Sequence, residues 1–219
     1  MFLQEIRGTV NEKMLIVDIF TGMRQSEIIG LTWDCIDFDR GTITVYRQYR
    51  KETHYGSPST YGFSPLKNNK PRIITPAQTV MDTLQQVKDE QEAFSEASEG
   101  MYINKEGFVF TNHKGNPIPP ATIYGNFKRI ANKIGCPNAR YHDLRHTFAT
   151  LSLQNGDDVK TVSSNLGHAT VAFTLDVYGH VSDQMKKDSA ERMEKLIKGT
   201  LKGTDTKKEG EEQPQPIEK

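Results

Sequence analysis

The segment His142-Asp143-Leu144-Arg145-His146 gathers two imidazoles, a guanidinium and a carboxylate within one short stretch. On a helix, residues three and four apart share a face, so His142, Arg145 and His146 would stand together. Two histidines at that spacing can hold zinc. The zinc-protease pattern, however, puts Glu directly after the first His, where this chain has the shorter Asp143, and Arg145 would set a cation beside the metal. The same residues also fit a polar helix face with one histidine hydrogen-bonded internally. Further along, Gly167 lets the chain turn after a helix in Leu166-Gly167-His168, and Tyr178 closes the helix that follows. Taken alone, that pattern is a helical hairpin with a surface histidine and a half-buried tyrosine. In Thr21-Gly22-Met23-Arg24-Gln25-Ser26-Glu27, Arg24 stands at the joint of two helices, where the N-terminal dipole suits a phosphate. An exposed arginine paired with Glu27 would read the same way. Lys67, in a polar hairpin, is by itself a solvated lysine.

The elements that must position these groups are mostly helical. Asn11 can cap a helix carrying Met14, Leu15, Val17, Ile19 and Phe20, which Thr21-Gly22 ends. A short helix from Ser26 follows, with Trp33 and Ile36 continuing its apolar face. Thr42 to Tyr46 is β-branched and aromatic and is expected to be a strand. Lys51 to Ser59 is expected to be a loop, and Gly62 to Lys67 is expected to pair with Pro71 to Ile74 as a hairpin across Asn68-Asn69. Helices are expected over residues 77–99, 122–134, 141–154, 159–166, 170–178 and 182–198, with a short extended piece at Phe108-Val109-Phe110. The fold class is therefore α+β, mainly α-helical, with a small three-stranded antiparallel sheet near the N-terminal side. Residues 1–10 have little pattern and are expected to be a linker remnant. Residues 11–199 are expected to form one domain, and 200–219 a disordered polar tail.

Composition narrows the function classes. The chain balances 28 basic against 28 acidic residues. Asp82, Asp89, Glu90, Glu92, Glu96 and Glu99 face only Lys88 in their stretch, so the remainder is net positive and can carry a basic face. Cys35 and Cys136 lack C-x-x-C spacing and suggest neither a disulfide scaffold nor a zinc site, which suits a reducing cytoplasm. No stretch approaches the roughly 20 apolar residues of a membrane span. The N-terminus lacks the basic and apolar regions of a signal peptide.

The order of these elements is more specific than any one of them. Arg24, Lys67, His142-x-x-Arg145, His168 and Tyr178 follow one another as in the tyrosine recombinases of the phage-integrase type. HDLRHTFAT and LGHATVAFTLDVYGHV resemble that family's C-terminal signature, and TGMRQSEIIGLTWDCID resembles its first box. The resemblance runs from about Asn11 to Val181. It implies that Tyr178 attacks a DNA phosphate to give a 3′-phosphotyrosyl bond and a free 5′-hydroxyl. Arg24 and Arg145 would hold the non-bridging oxygens, since a guanidinium donates two parallel hydrogen bonds to phosphate. Lys67 would be the general acid for the leaving 5′-oxygen, with Lys70 and Arg72 close enough that hairpin register matters. His142 would exchange a proton with the phenol, His168 would bond the phosphate, and Glu27 would orient Arg24 or its helix. The covalent link conserves bond energy, so no cofactor, ATP or metal is called for.

Full-length members carry an N-terminal core-binding domain that closes a clamp around DNA. This chain begins almost at the first catalytic helix, so weak DNA binding by an isolated catalytic domain is expected. Residues 182–198, with Met185, Met193, Leu196 and Ile197, resemble the terminal helix that members donate to a neighbour. That implies a tetramer on double-stranded DNA and allows a monomer without it. Integration or excision of a mobile element is the expected role. A type IB topoisomerase and a DNA-binding relative that has lost catalysis are the rivals. The LGH box and the small size favour the recombinase over the first, and six intact positions argue against the second.

Overall fold

The computed structural model of the chain describes residues 1–53, 58–178, 187, 189–195 and 197–198. A short helix, α1 (Phe2–Glu5), opens it where the sequence shows little pattern. Four residues are too few for periodicity to register, yet the Phe2 ring lies tilted against Phe127 at 6.1 Å and Ile6 is fully buried. Met14, Leu15, Val17 and Ile19 recur at helical spacing and bury α2 (Glu12–Thr21). Asn11 occupies its N-cap, but its side chain makes no cap bond there.

α2 stops at Gly22, which adopts the left-handed conformation (φ +61°) and donates its N–H to the Asp18 carbonyl. A Cβ at Gly22 would lie 2.5 Å from Phe148 Cδ1 and 2.9 Å from Leu166 Cδ2. Both the dihedral and the space therefore demand glycine. Gly22→Ala is expected to destabilise the protein by roughly 2–4 kcal/mol, summing a left-handed non-glycine residue and overpacking. A drop in the urea midpoint at unchanged slope would show it.

After α3 (Gln25–Ile29) and a 3₁₀ turn at Trp33–Cys35, three strands form an antiparallel sheet in the order β1-β2-β5: β1 (Ile36–Asp37), β2 (Thr42–Val45) and β5 (Arg72–Ile74). The register sets Ile43 against Ile74 and Val45 against Arg72. Strand alternation then turns Arg72 and Ile74 to the same, buried side while Ile73 faces solvent.

The expected hairpin between Gly62–Lys67 and Pro71–Ile74 does not form. β4 (Thr60–Pro65) instead pairs with β3 (Arg47–Glu52) along its whole length, as a separate two-stranded ribbon. β3 thus takes up the first residues of the stretch expected as a loop. The reason is aromatic: Tyr49 packs on Phe63 and Phe108 at 5.3 and 5.2 Å between ring centroids and stacks on Tyr61 at 6.1 Å. Arg47 covers the Phe63 ring at 4.1 Å. Such cross-strand pairs stabilise a ribbon but link residues more than ten apart, where a local pattern is blind. Phe108 in turn bridges back to Thr32.

The remaining helices are α4 (Gln78–Ala97), α5 (Pro120–Lys133), α6 (Asp143–Gln154), α7 (Val159–Leu166) and α8 (Val171–Tyr178). α4 buries Val80, Met81 and Leu84 and turns most of its acids outward, with Glu90 held by Lys13. The main core gathers α2, α3, the sheet, α4 and α5, with Leu144 from the start of α6. A second, smaller core of Ala149, Leu153, Val162, Leu166 and Tyr178, with Phe148 and Val177 against it, joins α6, α7 and α8. Burying each large apolar side chain contributes roughly 1.5–3 kcal/mol. This second core is what brings the end of α8 back onto α6. The architecture is mainly helical α+β with a small antiparallel sheet near the N-terminal side.

Residues 187, 189–195 and 197–198 are helical, and Met193 and Ile197 are about half exposed at 55% and 46%. Met185, Leu196 and the 200–219 tail lie outside the described residues. Among the described residues no helix is long and apolar enough to cross a membrane.

Candidate active site

The last turn of a helix leaves carbonyls without internal partners, at the negative end of its dipole. α7 fills these positions with arginines from three other elements. The Asn165 carbonyl accepts from Arg72 Nε of β5 at 2.7 Å, and the Leu166 carbonyl accepts from Arg145 Nη2 of α6 at 2.5 Å. The Gly167 carbonyl accepts from Arg24 Nη2, at the entry to α3, at 3.3 Å and from Asn68 Nδ2 at 3.2 Å. Gly167 is left-handed (φ +63°), and a Cβ there would press on the Arg72 guanidinium at 3.0 Å. Arg145 also donates Nη1 to the Gly22 carbonyl at 2.8 Å, so it bridges two helix ends.

Concentrating three guanidiniums needs a counter-charge. Glu27 supplies it, binding Arg72 through both carboxylate oxygens at 3.2 and 2.7 Å and Arg24 Nη1 at 2.8 Å. Its Oε2 also accepts the Arg24 backbone N–H at 2.9 Å, across the first turn of α3. Burial opposes its charge, but the hydrogen bond and charge of Arg72, aided by Arg24, hold the carboxyl down at about 2. Burial pushes Asp18, the other buried acid near Arg145, up to about 7, so Glu27 is the firm anion. Burial, then the charge of Arg24, lowers Arg145 to about 9, which still leaves it a cation at neutral pH. The cluster of Arg24, Arg72, Arg145 and Glu27 therefore keeps a positive excess suited to a dianionic transition state.

His168 follows this arginine cluster directly. Its Nδ1 lies 2.8 Å from the Thr174 hydroxyl, and Phe173 packs edge-on at 4.8 Å. Burial and the charges of Arg145, Arg24 and Arg72 push it down to about 4, so the ring is neutral at pH 7. In the tautomer that accepts from Thr174, Nε2–H remains free to donate. His142 is the N-cap of α6 and is exposed; burial of part of its ring, then His146, Arg145 and Arg24, lowers its pKa. Its ring stands edge-on to His146 at 4.9 Å. Tyr178 ends α8 at 5% exposure, with its hydroxyl 2.7 Å from His146 Nδ1. Burial raises the phenol while the Arg145 charge lowers it.

Residues 5–185 match the family described as the phage integrase family. The chain belongs to that family. It is 28% identical over 201 residues to a tyrosine recombinase XerC-like protein of Caldanaerobacter subterraneus, covering 89% of this chain and 51% of the relative. It is 26% identical to the ICEBs1 integrase of Bacillus subtilis, covering 83% of this chain and 48% of that one. The chain thus spans about half the length of the curated relatives it matches. Among solved structures, the Tn1549 transposon integrase in complex with transposon right-end DNA aligns with a TM-score of 0.69 at 24% identity, over 87% of this chain and 62% of that one.

Within this phage-integrase fold, Arg24, Arg145 and His168 converge around the end of α7, and Tyr178 reaches α6 beside them. Lys67 stands apart. It is exposed on the turn between β4 and β5, among the described residues its ammonium bonds to no other site residue, and the turn is tied to the site through the neighbouring Asn68. Arg72, close to Lys67 in sequence, is locked to Glu27 and α7 and cannot swing. The imidazole touching the phenol is His146, where the resemblance gave that contact to His142. Two further participants thus emerge, Arg72 and His146. Strand alternation with Ile74 was the available signal for Arg72, and the i, i+4 relation to His142 was the signal for His146. Among the described residues no three His, Cys, Asp or Glu side chains cluster as a metal site, so His142 and His146 gain no third ligand there.

Proposed function

We propose that this chain cuts and rejoins double-stranded DNA through a 3′-phosphotyrosyl link, with Tyr178 as the nucleophile. The observation that carries the reading is the convergence of Arg24, Arg145 and neutral His168 on one helix end, with the phenol returned to α6 by the small second core. A phosphodiester under attack gathers charge on its non-bridging oxygens. Fixed donors aimed there stabilise the transition state without reorganising. Arg24 and Arg145 hold those oxygens, and His168 donates from Nε2. His142, exposed at the start of α6, stands edge-on to His146, and an imidazole of α6 takes up the phenol proton. Lys67 protonates the leaving 5′-oxygen from its exposed turn. Glu27 and Arg72 keep Arg24 in place and touch no DNA.

Similarity to the Tn1549 and ICEBs1 integrases supports integration or excision of a mobile element in the cytoplasm, where chromosomal DNA is. Half-exposed Met193 and Ile197 support a terminal helix that packs on a second copy, and with it a tetramer on DNA.

Trapping tests the core of this reading. Nicked duplexes tiled across the repeats flanking the gene release a short 5′-hydroxyl fragment on cleavage and so trap the covalent intermediate. The chain should give an adduct that survives denaturation and is lost in Tyr178→Phe. An adduct in Tyr178→Phe would move the nucleophile elsewhere, and none with the parent chain would leave a DNA-binding module. Relaxation of supercoiled plasmids lacking any site would instead favour topoisomerase action.

A further inference from the structure

Resting on that reading, we propose that His146 is a further catalytic residue: it takes the Tyr178 proton when the phenol attacks the phosphate and returns it on religation. The geometry singles it out. His146 Nδ1 is 2.7 Å from the Tyr178 hydroxyl, whereas the ring nitrogens of His142 form no hydrogen bond among the described residues. Its position follows from the fold. α8 packs into the small core through Tyr178, with Val177 against it, and its last residue meets α6 one turn in from the N-cap, where His146 lies and His142 does not.

The pairing also answers a chemical need. Tyr178 is nearly buried, which disfavours a free phenolate, so the proton must leave as the nucleophile attacks. In the forward step the Tyr178 Oη–P bond forms and the P–O5′ bond breaks. The phenol proton moves to His146 Nδ1, leaving an imidazolium, and the 5′-oxygen takes its proton from Lys67. In religation the 5′-hydroxyl attacks phosphorus, its proton returns to Lys67, and the imidazolium gives its proton back to the departing phenol. The groups around His146 are His142 and Asp143 from α6, His168 from the turn after α7 and Tyr178 from α8. His142 presses its ring edge-on against His146, which suits a positioning role for His142 toward its neighbour and the phosphate.

Two measurements on the full chain test this. In the first, long-range ¹H–¹⁵N spectra of the imidazoles compare the parent with Tyr178→Phe. The largest nitrogen shift should fall on His146 Nδ1; a shift confined to His142 would overturn the contact. The second follows single-turnover adduct formation on the nicked duplex that traps the parent. His146→Ala and His146→Gln should both slow it about 10²-fold or more, because an amide can accept a hydrogen bond but cannot carry the proton. Imidazole, and more basic substituted imidazoles to a greater degree, should restore the rate in His146→Ala and leave His142→Ala unrescued. Adduct formation by both His146 variants within threefold of the parent, or rescue of His142→Ala in place of His146→Ala, would overturn the assignment. If the parent forms no adduct on any duplex while the spectra place His146 on the phenol, the recombinase reading has failed and the proton-transfer role goes with it.

Discussion

Arg145→Ala is expected to form the covalent DNA adduct about 10³–10⁵-fold more slowly than the parent, the range over which a single arginine stabilises phosphoryl-transfer charge. Of the site cations, Arg145 is the most deeply set, at 3% exposure. It has five N–H donors, and two nitrogens are engaged by the Gly22 and Leu166 carbonyls. These contacts lock the plane of the guanidinium, so its remaining donors are already oriented. Removing the side chain also leaves two buried carbonyls without partners, at about 1–3 kcal/mol each. Part of the loss could then come from the fold, and Arg145→Lys separates the two. An ammonium keeps the charge but cannot bridge both carbonyls and still offer a fork to phosphate. Arg145→Lys should therefore stay folded by thermal melting and still lose about 10²-fold or more in single-turnover adduct formation. Parental rates in the lysine variant would mean that charge alone suffices and that the fork is incidental.

The second large effect concerns stability. Glu27→Gln is expected to cost about 3–5 kcal/mol at neutral pH, because it leaves the buried Arg72 guanidinium without its counter-charge. The pH dependence has a definite sign. Glu27 is held at about 2 in the folded protein against an ordinary 4.5. A carboxyl depressed by folding contributes stability that is fully present above 4.5 and disappears as pH falls through 2, roughly 3 kcal/mol in all. The parent should thus lose stability between pH 4.5 and 2 more steeply than Glu27→Gln, in urea titrations at several pH values. Replacing both partners, Glu27→Gln with Arg72→Met, should recover part of the loss, since the uncompensated charge is gone. Purely additive losses in that double variant would show that the two side chains do not act as a pair. Adduct formation should stay impaired in the double variant, because Arg24 loses the carboxylate that orients it.

The candidate site was unevenly legible in the sequence. HDLRHTFAT and the LGH turn are local patterns, and local physics acts on them directly. Helical spacing puts His142, Arg145 and His146 on one face, and Gly167 is the residue that tolerates φ +63° at the end of α7. The long helices were legible for the same reason, since an apolar stripe at period 3.6 has to be buried against something. The β3–β4 ribbon was not, because Tyr49 finds Phe63 and Phe108 only after the chain has folded back. Arg72 could pass for a solvated hairpin cation until its partner Glu27, 45 residues away, was in view.

Residue types and local periods determined by themselves that this chain is mainly helical, and its motifs, with arginines, histidines and a tyrosine in succession, carried the resemblance to the phage integrase family that the family match then bore out. Only the tertiary structure decided that three guanidiniums meet on the carbonyls of one helix end, that Glu27 pairs with two of them, and that His146 is the ring against the phenol. The reason is physical: a periodic pattern states which face of an element must be covered, while the identity of the covering residue depends on how distant segments pack, and that information is not local.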